Sequence, residues 1–168
     1  MILIALGSNL AGPAGPPAAQ LDAALAALAA RGVVVERRSR WWRSVAWPDP
    51  ADPPFVNGVA RIRTGLAPAS LLAELHAVEA LLGRRRERTN APRSIDLDLL
   101  DHDGLVATGS EGGPMLPHPR LAARGFVLLP LREVAPEWRH PVSGMGIAAL
   151  IAALPSQDGL EPLDRQPE

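Results

Sequence analysis

The chain has 168 residues, a formal net charge of −1 and 47% hydrophobic residues, enough for one domain with a real core and no staple. Cysteine is absent, which excludes thiol catalysis, cysteine-ligated zinc, iron–sulfur clusters and disulfides. All 17 basic residues are arginine, which excludes a Schiff-base lysine, a lysine general base and a Walker A lysine.

Any phosphate this protein holds must therefore be held by arginine, backbone N–H groups, histidine or metal. A net charge near zero supplies no field to draw the chain onto DNA or a membrane. Residues 1–6 are apolar but lack a basic start, and the run at 147–154 is far short of the ~20 residues that span a bilayer. A cytoplasmic location is the expectation.

In chain order, residues 1–6 form an apolar run closed by Gly7-Ser8-Asn9, the pattern of a buried strand and a tight turn. Leu21, Ala24, Leu25 and Leu28 recur at helical spacing, with Gly32 as C-cap. Residues 33–43 read as one long strand. Four prolines from Pro48 to Pro54 demand a loop. Residues 55–64 alternate, with Val56, Ala60 and Ile62 on one face and Phe55, Asn57 and Val59 on the other. Pro68 opens a second helix with the stripe Leu71, Leu72, Leu75, Val78 and Leu82, closed by Gly83.

After a charged segment at 84–93, residues 94–100 read as a fourth strand, and an Asp103-Gly104 turn leads to a short strand at 105–107. Residues 120–135 read as a helix bent or split near Pro130. A short helix follows at 147–154, and the polar tail from Pro155 is expected to fray. The first 100 residues thus read β-α-β-β-α-β. That is the order of an α+β, ferredoxin-like core, an antiparallel sheet covered by helices, to which the rest adds strands and helices. Residues 1–155 are expected to form a single domain and 156–168 a tail.

Period two puts Asp96 and Asp98 on one strand face, their Cα atoms ~6.6–7 Å apart. Two carboxylates so close repel unless cations neutralise them, and two hard divalent ions would fit between them. A solvated polar sheet face presents the same pair, so the strand alone names no function. Five arginines stand among residues 84–93, directly before it, and guanidinium forks bind phosphate oxygens bidentately. Loop and acidic pair together point to a nucleotide triphosphate with Mg²⁺. His118 is fixed between Pro117 and Pro119, with Arg120, Arg124 and Phe126 soon after. Phe55 and Asn57 share a strand face, an aromatic platform beside an amide that can donate and accept. A core aromatic would look the same. His102, in an Asp-His-Asp turn, reads as a hairpin end and not as a metal ligand.

Together these segments resemble the 6-hydroxymethyl-7,8-dihydropterin pyrophosphokinases of folate biosynthesis. The resemblance is carried by Ala5-Leu6-Gly7-Ser8-Asn9-Leu10, Phe55-Val56-Asn57, Glu79 through Arg86, Pro92-Arg93-Ser94-Ile95-Asp96-Leu97-Asp98-Leu99, Leu116-Pro117-His118-Pro119-Arg120 and Arg124 through Leu131, in family order. It implies transfer of the pyrophosphoryl group of ATP to the pterin's hydroxymethyl oxygen, with release of AMP. Asp96 and Asp98 match ligands of two Mg²⁺ ions. Arg84, Arg86 and Arg93 match basic residues that engage the triphosphate and serve catalysis. His118 and Arg124 match further ATP contacts, and Leu72 and Leu99 match residues lining the nucleotide site. Phe55 and Phe126 match the aromatics that sandwich the pterin, Asn57 the amide that reads its edge, and Ser44, Val45 and Trp47 the loop completing that pocket. ATP and the pterin are the implied partners, with no nucleic acid and no membrane, and a monomer is expected.

The sequence departs from the family pattern at Ala91, where a glycine is usual, at Asn90, where some members carry an aromatic, and at Ser44-Val45, where Thr-Pro is common. Gly113 stands about where some members carry an arginine, and the 83–92 loop is one residue shorter than in some. Two alternatives fit the element order: a ferredoxin-like nucleic-acid-binding domain using the 84–93 arginines, and a palm-type nucleotidyltransferase using the paired aspartates. The first is opposed by the net charge and the absence of an aromatic in the segment. The second is opposed by the Phe/Asn pair and the Pro-His-Pro-Arg block.

Overall fold

The structure is a computed structural model that describes residues 1–47, 49–84 and 92–163. Strand β1 (Ile2–Ser8) is buried along almost its whole length, as an all-apolar run requires. Helix α1 (Pro17–Ala30) starts on a proline at its first position, and Gly32 follows its end at φ +82°, a left-handed conformation that glycine adopts without strain. Its residues Leu21, Ala24 and Leu28 are fully buried.

The expected long strand at 33–43 is instead two, β2 (Val34–Arg38) and β3 (Trp42–Ser44). The break falls where Ser39 turns its hydroxyl inward: its Oγ accepts the Val59 N–H at 3.0 Å and its own N–H donates to the Val59 carbonyl at 3.0 Å. Both strands pair with β4 (Phe55–Arg63). Helix α2 (Pro68–Leu81) buries Leu71, Leu75 and Val78 and leaves Leu72 half-buried. Strand β5 (Asp96–His102) follows. The turn at Asp103-Gly104, both residues at positive φ, leads to β6 (Ala107–Thr108), paired with β7 (Met115–Leu116).

The helical segment after Arg120 is divided, but not at Pro130. A 3₁₀ turn at Leu121–Ala123 ends at Arg124, which is extended at ψ 103°, and α3 (Gly125–Val134) carries Pro130 inside it. Helix α4 (Ile147–Ala152) is next. Within the segment expected to fray, β8 (Glu161–Pro162) pairs with β3, and residues 164–168 lie outside the described residues.

The main sheet is antiparallel, in the order β5-β1-β4-β3-β8, with β2 also on β4. One face packs on α1 and α2 through Ile2, Ile4, Leu6, Ala60, Ile62, Leu97 and Leu99. The other packs on α3 and α4 through Leu3, Val59 and Leu100. Helices thus cover both faces. No helix among the described residues is long and apolar enough to cross a membrane.

Candidate functional site

On the second face, beside the N-terminal turn of α3, a cleft of about 490 Å³ opens. Its floor is β1, β4 and β5. Asp98 stands opposite Ala5, Asp96 opposite Gly7, and Gly7 opposite Asn57. Gly7 has no side chain for a physical reason: a Cβ there would come within 3.2 Å of Asn57 Oδ1 and 4.0 Å of the Phe55 ring. The cleft is lined by Ser44, Val45, Trp47, Phe55, Asn57, Arg84, Arg93, Asp96, Asp98, Arg124 and Phe126, all singled out in the sequence, and by Arg120, which was named there without a role.

Strand alternation puts both aspartates on this face and Leu97 and Leu99 in the core. The third carboxylate of the strand, Asp101, is turned onto the same sheet face by a register shift opposite Leu3 and Ile4, but it lies further along the strand and does not line the cleft. It is buried, accepting the Trp138 indole N–H at 2.6 Å and the Gly104 N–H at 2.8 Å. Its oxygens hold the turn and α3's surroundings together.

The Asp96 carboxylate is met by two guanidiniums: Arg84 Nη1 donates to Oδ1 at 2.6 Å and Arg93 Nη1 to Oδ2 at 2.9 Å. Arg84 also donates to Glu79, whose Oε1 accepts the Leu97 N–H at 2.7 Å, between the two aspartates. Burial works against the Arg84 charge, but the Asp96 and Glu79 carboxylates outweigh it and hold its pKa above the ordinary value. Asp98 lies 3.8 Å from both His118 Nε2 and Arg124 Nη1. Burial first, then the neighbouring Asp96 charge, pushes the Asp98 carboxyl upward. Burial pulls His118 below 6.5, with Asp98 opposing. Arg124 Cζ sits 5.5 Å from the Phe126 ring centroid, a cation–π contact.

Three polar residues position these groups. Asn9 Oδ1 accepts the Arg93 N–H at 2.8 Å while its Nδ2 donates to the Pro53 carbonyl at 3.0 Å. Asn57 Nδ2 donates to Ser44 Oγ at 2.8 Å. Gln20, fully buried, donates to the carbonyls of Leu82 at 3.0 Å and Ser94 at 3.2 Å. Sequence reasoning missed Gln20, because a lone amide on an apolar helix face carries no motif.

Leu99 is buried under α1 and α2, and neither it nor Leu72 lines the cleft. His118 reaches the site through Asp98. Arg86 lies outside the described residues. His102 Nε2 is 3.0 Å from the Leu66 carbonyl, consistent with its reading as a hairpin end. Among the described residues no cluster of three or more His, Cys, Asp or Glu side chains forms a metal cage.

The model of the family described as 7,8-dihydro-6-hydroxymethylpterin-pyrophosphokinase (HPPK) matches residues 3–136. A 2-amino-4-hydroxy-6-hydroxymethyldihydropteridine pyrophosphokinase of Pseudomonas aeruginosa is 41% identical, over 96% of each chain. The protein of that name from a Synechocystis strain is 39% identical over 95% of this chain and 82% of its own. Among solved structures, an HPPK-DHPS of Plasmodium falciparum bound to pterin and p-hydroxybenzoate aligns with a TM-score of 0.69 at 13% identity, over 90% of this chain and 43% of that one. That last likeness concerns the fold alone, and this chain spans less than half of that longer one. The chain belongs to the HPPK family. Membership leaves the nucleic-acid-binding and palm-type alternatives without support.

Proposed function

We propose that this protein transfers the pyrophosphoryl group of ATP to the hydroxymethyl oxygen of 6-hydroxymethyl-7,8-dihydropterin, giving the pterin diphosphate and AMP. What carries the reading is that one cleft joins paired carboxylates, arginines and an aromatic–amide pair: Asp96 and Asp98, Arg84, Arg93 and Arg124, and Phe55, Asn57 and Phe126. The strand order, with β5 and β4 flanking β1 and β2 and β3 beyond β4, supports a ferredoxin-like core within a single domain. A cytoplasmic monomer without a nucleic-acid partner goes with this reading.

Arg84, Arg93 and Arg124 bind the triphosphate, whose charge replaces the carboxylates they now face. Arg86 joins them on the strength of the resemblance. His118 gives the phosphates a further donor: its Nδ1 accepts the Arg120 N–H at 3.2 Å, so in the neutral ring Nε2 carries the proton and faces Asp98. Leu72 and Leu99 are assigned to the nucleotide side on the resemblance alone, since neither lines the cleft. Phe55 and Phe126 take the pterin's faces, Asn57 its edge, and Ser44, Val45 and Trp47 its rim. The hydroxymethyl oxygen attacks the β-phosphorus and loses its proton. The bond from that phosphorus to the α-phosphate oxygen breaks, and AMP leaves.

Asp96 and Asp98 fit two Mg²⁺ ions by donor chemistry: both are hard oxygen donors, and a neighbouring cation offsets the burial and the Asp96 charge that push the Asp98 carboxyl upward. When bound, such ions neutralise the phosphates and polarise the attacking hydroxyl. Incubation with ATP, Mg²⁺ and the hydroxymethyl pterin, resolving AMP from ADP, tests the reading. Pterin-dependent AMP is expected, and ADP or pterin-independent hydrolysis would overturn it.

A further inference from the structure

The C-terminal strand reaches the substrate cleft from behind. β8 pairs with β3, Arg43 opposite Glu161 and Trp42 opposite Pro162, and the Leu163 N–H donates to the Trp41 carbonyl at 2.8 Å. Just before it, two consecutive residues touch two different parts of the cleft wall. Gly159, at φ +71°, lies so close to Val45 that a Cβ on it would stand 2.9 Å from Val45 Cγ2. Leu160 lies against Gly125, where a Cβ would stand 2.6 Å from Leu160 Cδ1, and packs with Leu154 in the second core. Val45 rims the cleft, and Gly125 sits between its lining residues Arg124 and Phe126.

The neighbours of Val45 are anchored: Ser44 Oγ accepts from Asn57 Nδ2 at 2.8 Å, and Ala46 is buried. A second cavity, about 310 Å³, is lined by Val45 and Ala46 together with Pro50, Asp52, Gly159 and Glu161. Val45 is itself 56% exposed. An exposed side chain between two anchored neighbours is set by the few contacts it does make.

We infer that Gly159 and Leu160 are positioning residues for the pterin side of the site: one short segment fixes the Val45 rim and the Phe126 wall relative to each other. This rests on the pterin reading above. The segment also covers the open edge of β3, as an edge strand must be covered. A purely structural role of that kind would act on both substrates alike. The positioning role acts on one, because Arg84, Arg93 and the aspartates are held from β1, α2 and β5 and make none of these contacts.

The test uses the full chain carrying Leu160→Ala, Leu160→Met or Gly159→Ala. Pterin affinity is measured by calorimetry with Mg²⁺ and a non-transferable ATP analogue present, and the analogue's affinity is measured alone. Leu160→Ala and Gly159→Ala are expected to weaken pterin binding about five- to tenfold, leave the analogue within about twofold, and speed amide exchange at both 44–47 and 124–127. Leu160→Met restores all three. Parallel loss of both affinities, or unchanged pterin affinity, overturns the inference. Failure of the unaltered protein to bind pterin overturns the pterin reading itself, and the inference with it.

Discussion

His118 Nε2 stands 3.8 Å from Asp98 Oδ2, and burial moves the proton affinities of the two groups toward each other. Asp98 is raised from 3.8, by burial and then by Asp96, while His118 is lowered from 6.5, by burial. Each side chain therefore disfavours its own charged form, in a cleft whose chemistry depends on charge.

The stability consequence follows from the direction. A carboxyl with a raised folded pKa binds its proton more tightly folded than unfolded, so its ionised form costs stability at neutral pH. That cost fades as pH falls through the raised folded value and is gone below 3.8. Asp98→Asn is expected to melt higher than the unaltered chain at pH 7 in chelator, by on the order of 2–4 °C per kcal/mol relieved. The gap should close toward pH 3.5. Thermal unfolding at both pH values decides it, and an equal or lower melting point at pH 7 would count against the assignment. His118 works in the opposite sense: its lowered folded value means stability is lost as pH falls through 6.5, in both proteins.

The same variant should be nearly inactive. Asp96→Asn or Asp98→Asn each remove an anionic ligand and are expected to lower AMP formation by at least about 10²–10³, the scale on which losing one pre-positioned electrostatic group acts. Circular dichroism should show an intact fold. Near-normal turnover in either variant at ordinary Mg²⁺ would remove the pair from the metal site.

Phe126→Ala should separate the two substrates. The ring is assigned to the pterin, and its stacking is worth ~0.5–1.5 kcal/mol beyond buried area, so pterin affinity should fall roughly three- to tenfold or more. ATP affinity should change little, although Arg124 loses its cation–π partner. Calorimetry of each ligand answers this, and equal weakening of both would argue against the sandwich.

The site was legible in the sequence because strand alternation and short motifs place side chains by local rules. Period two put Asp96 and Asp98 in the cleft and Leu97 and Leu99 beneath it. Long-range packing was not legible. Ser39 breaks the expected strand because of what it bonds on β4, a partner 20 residues away. The helix after Arg120 divides at Arg124 rather than at Pro130 because Arg124 leaves helical geometry there. Asp101 turns to the face of Asp96 and Asp98 through a register shift that no pattern in its own strand announces, and there the Trp138 indole holds it outside the cleft. β8 escaped notice because a two-residue segment that includes a proline becomes a strand only when an open edge is offered.

Arg84 carries the last prediction. Its guanidinium bridges Glu79 and Asp96, and Arg93 holds the other Asp96 oxygen at 2.9 Å. A divalent cation bound to Asp96 must take over ground that these positive charges hold, and like charges so close repel. In Arg84→Ala that competition is reduced, so Mn²⁺ or Mg²⁺ alone, without nucleotide, should bind about three- to tenfold more tightly, a difference of roughly 0.7–1.4 kcal/mol. Turnover should nonetheless fall by about 10²–10³, because the transferring phosphates lose a pre-positioned donor. The variant should also unfold more easily in chelator, since the buried Glu79 carboxylate gives up a charged donor, a loss of ~1.5–3 kcal/mol for such bonds. Metal titration by calorimetry, read beside single-turnover AMP formation, separates the two effects. Tighter metal with slower chemistry identifies Arg84 as a group that first occupies the cation's ground and then serves the phosphates. Weaker metal binding would mean that Arg84 shapes the aspartate pair instead of competing for it.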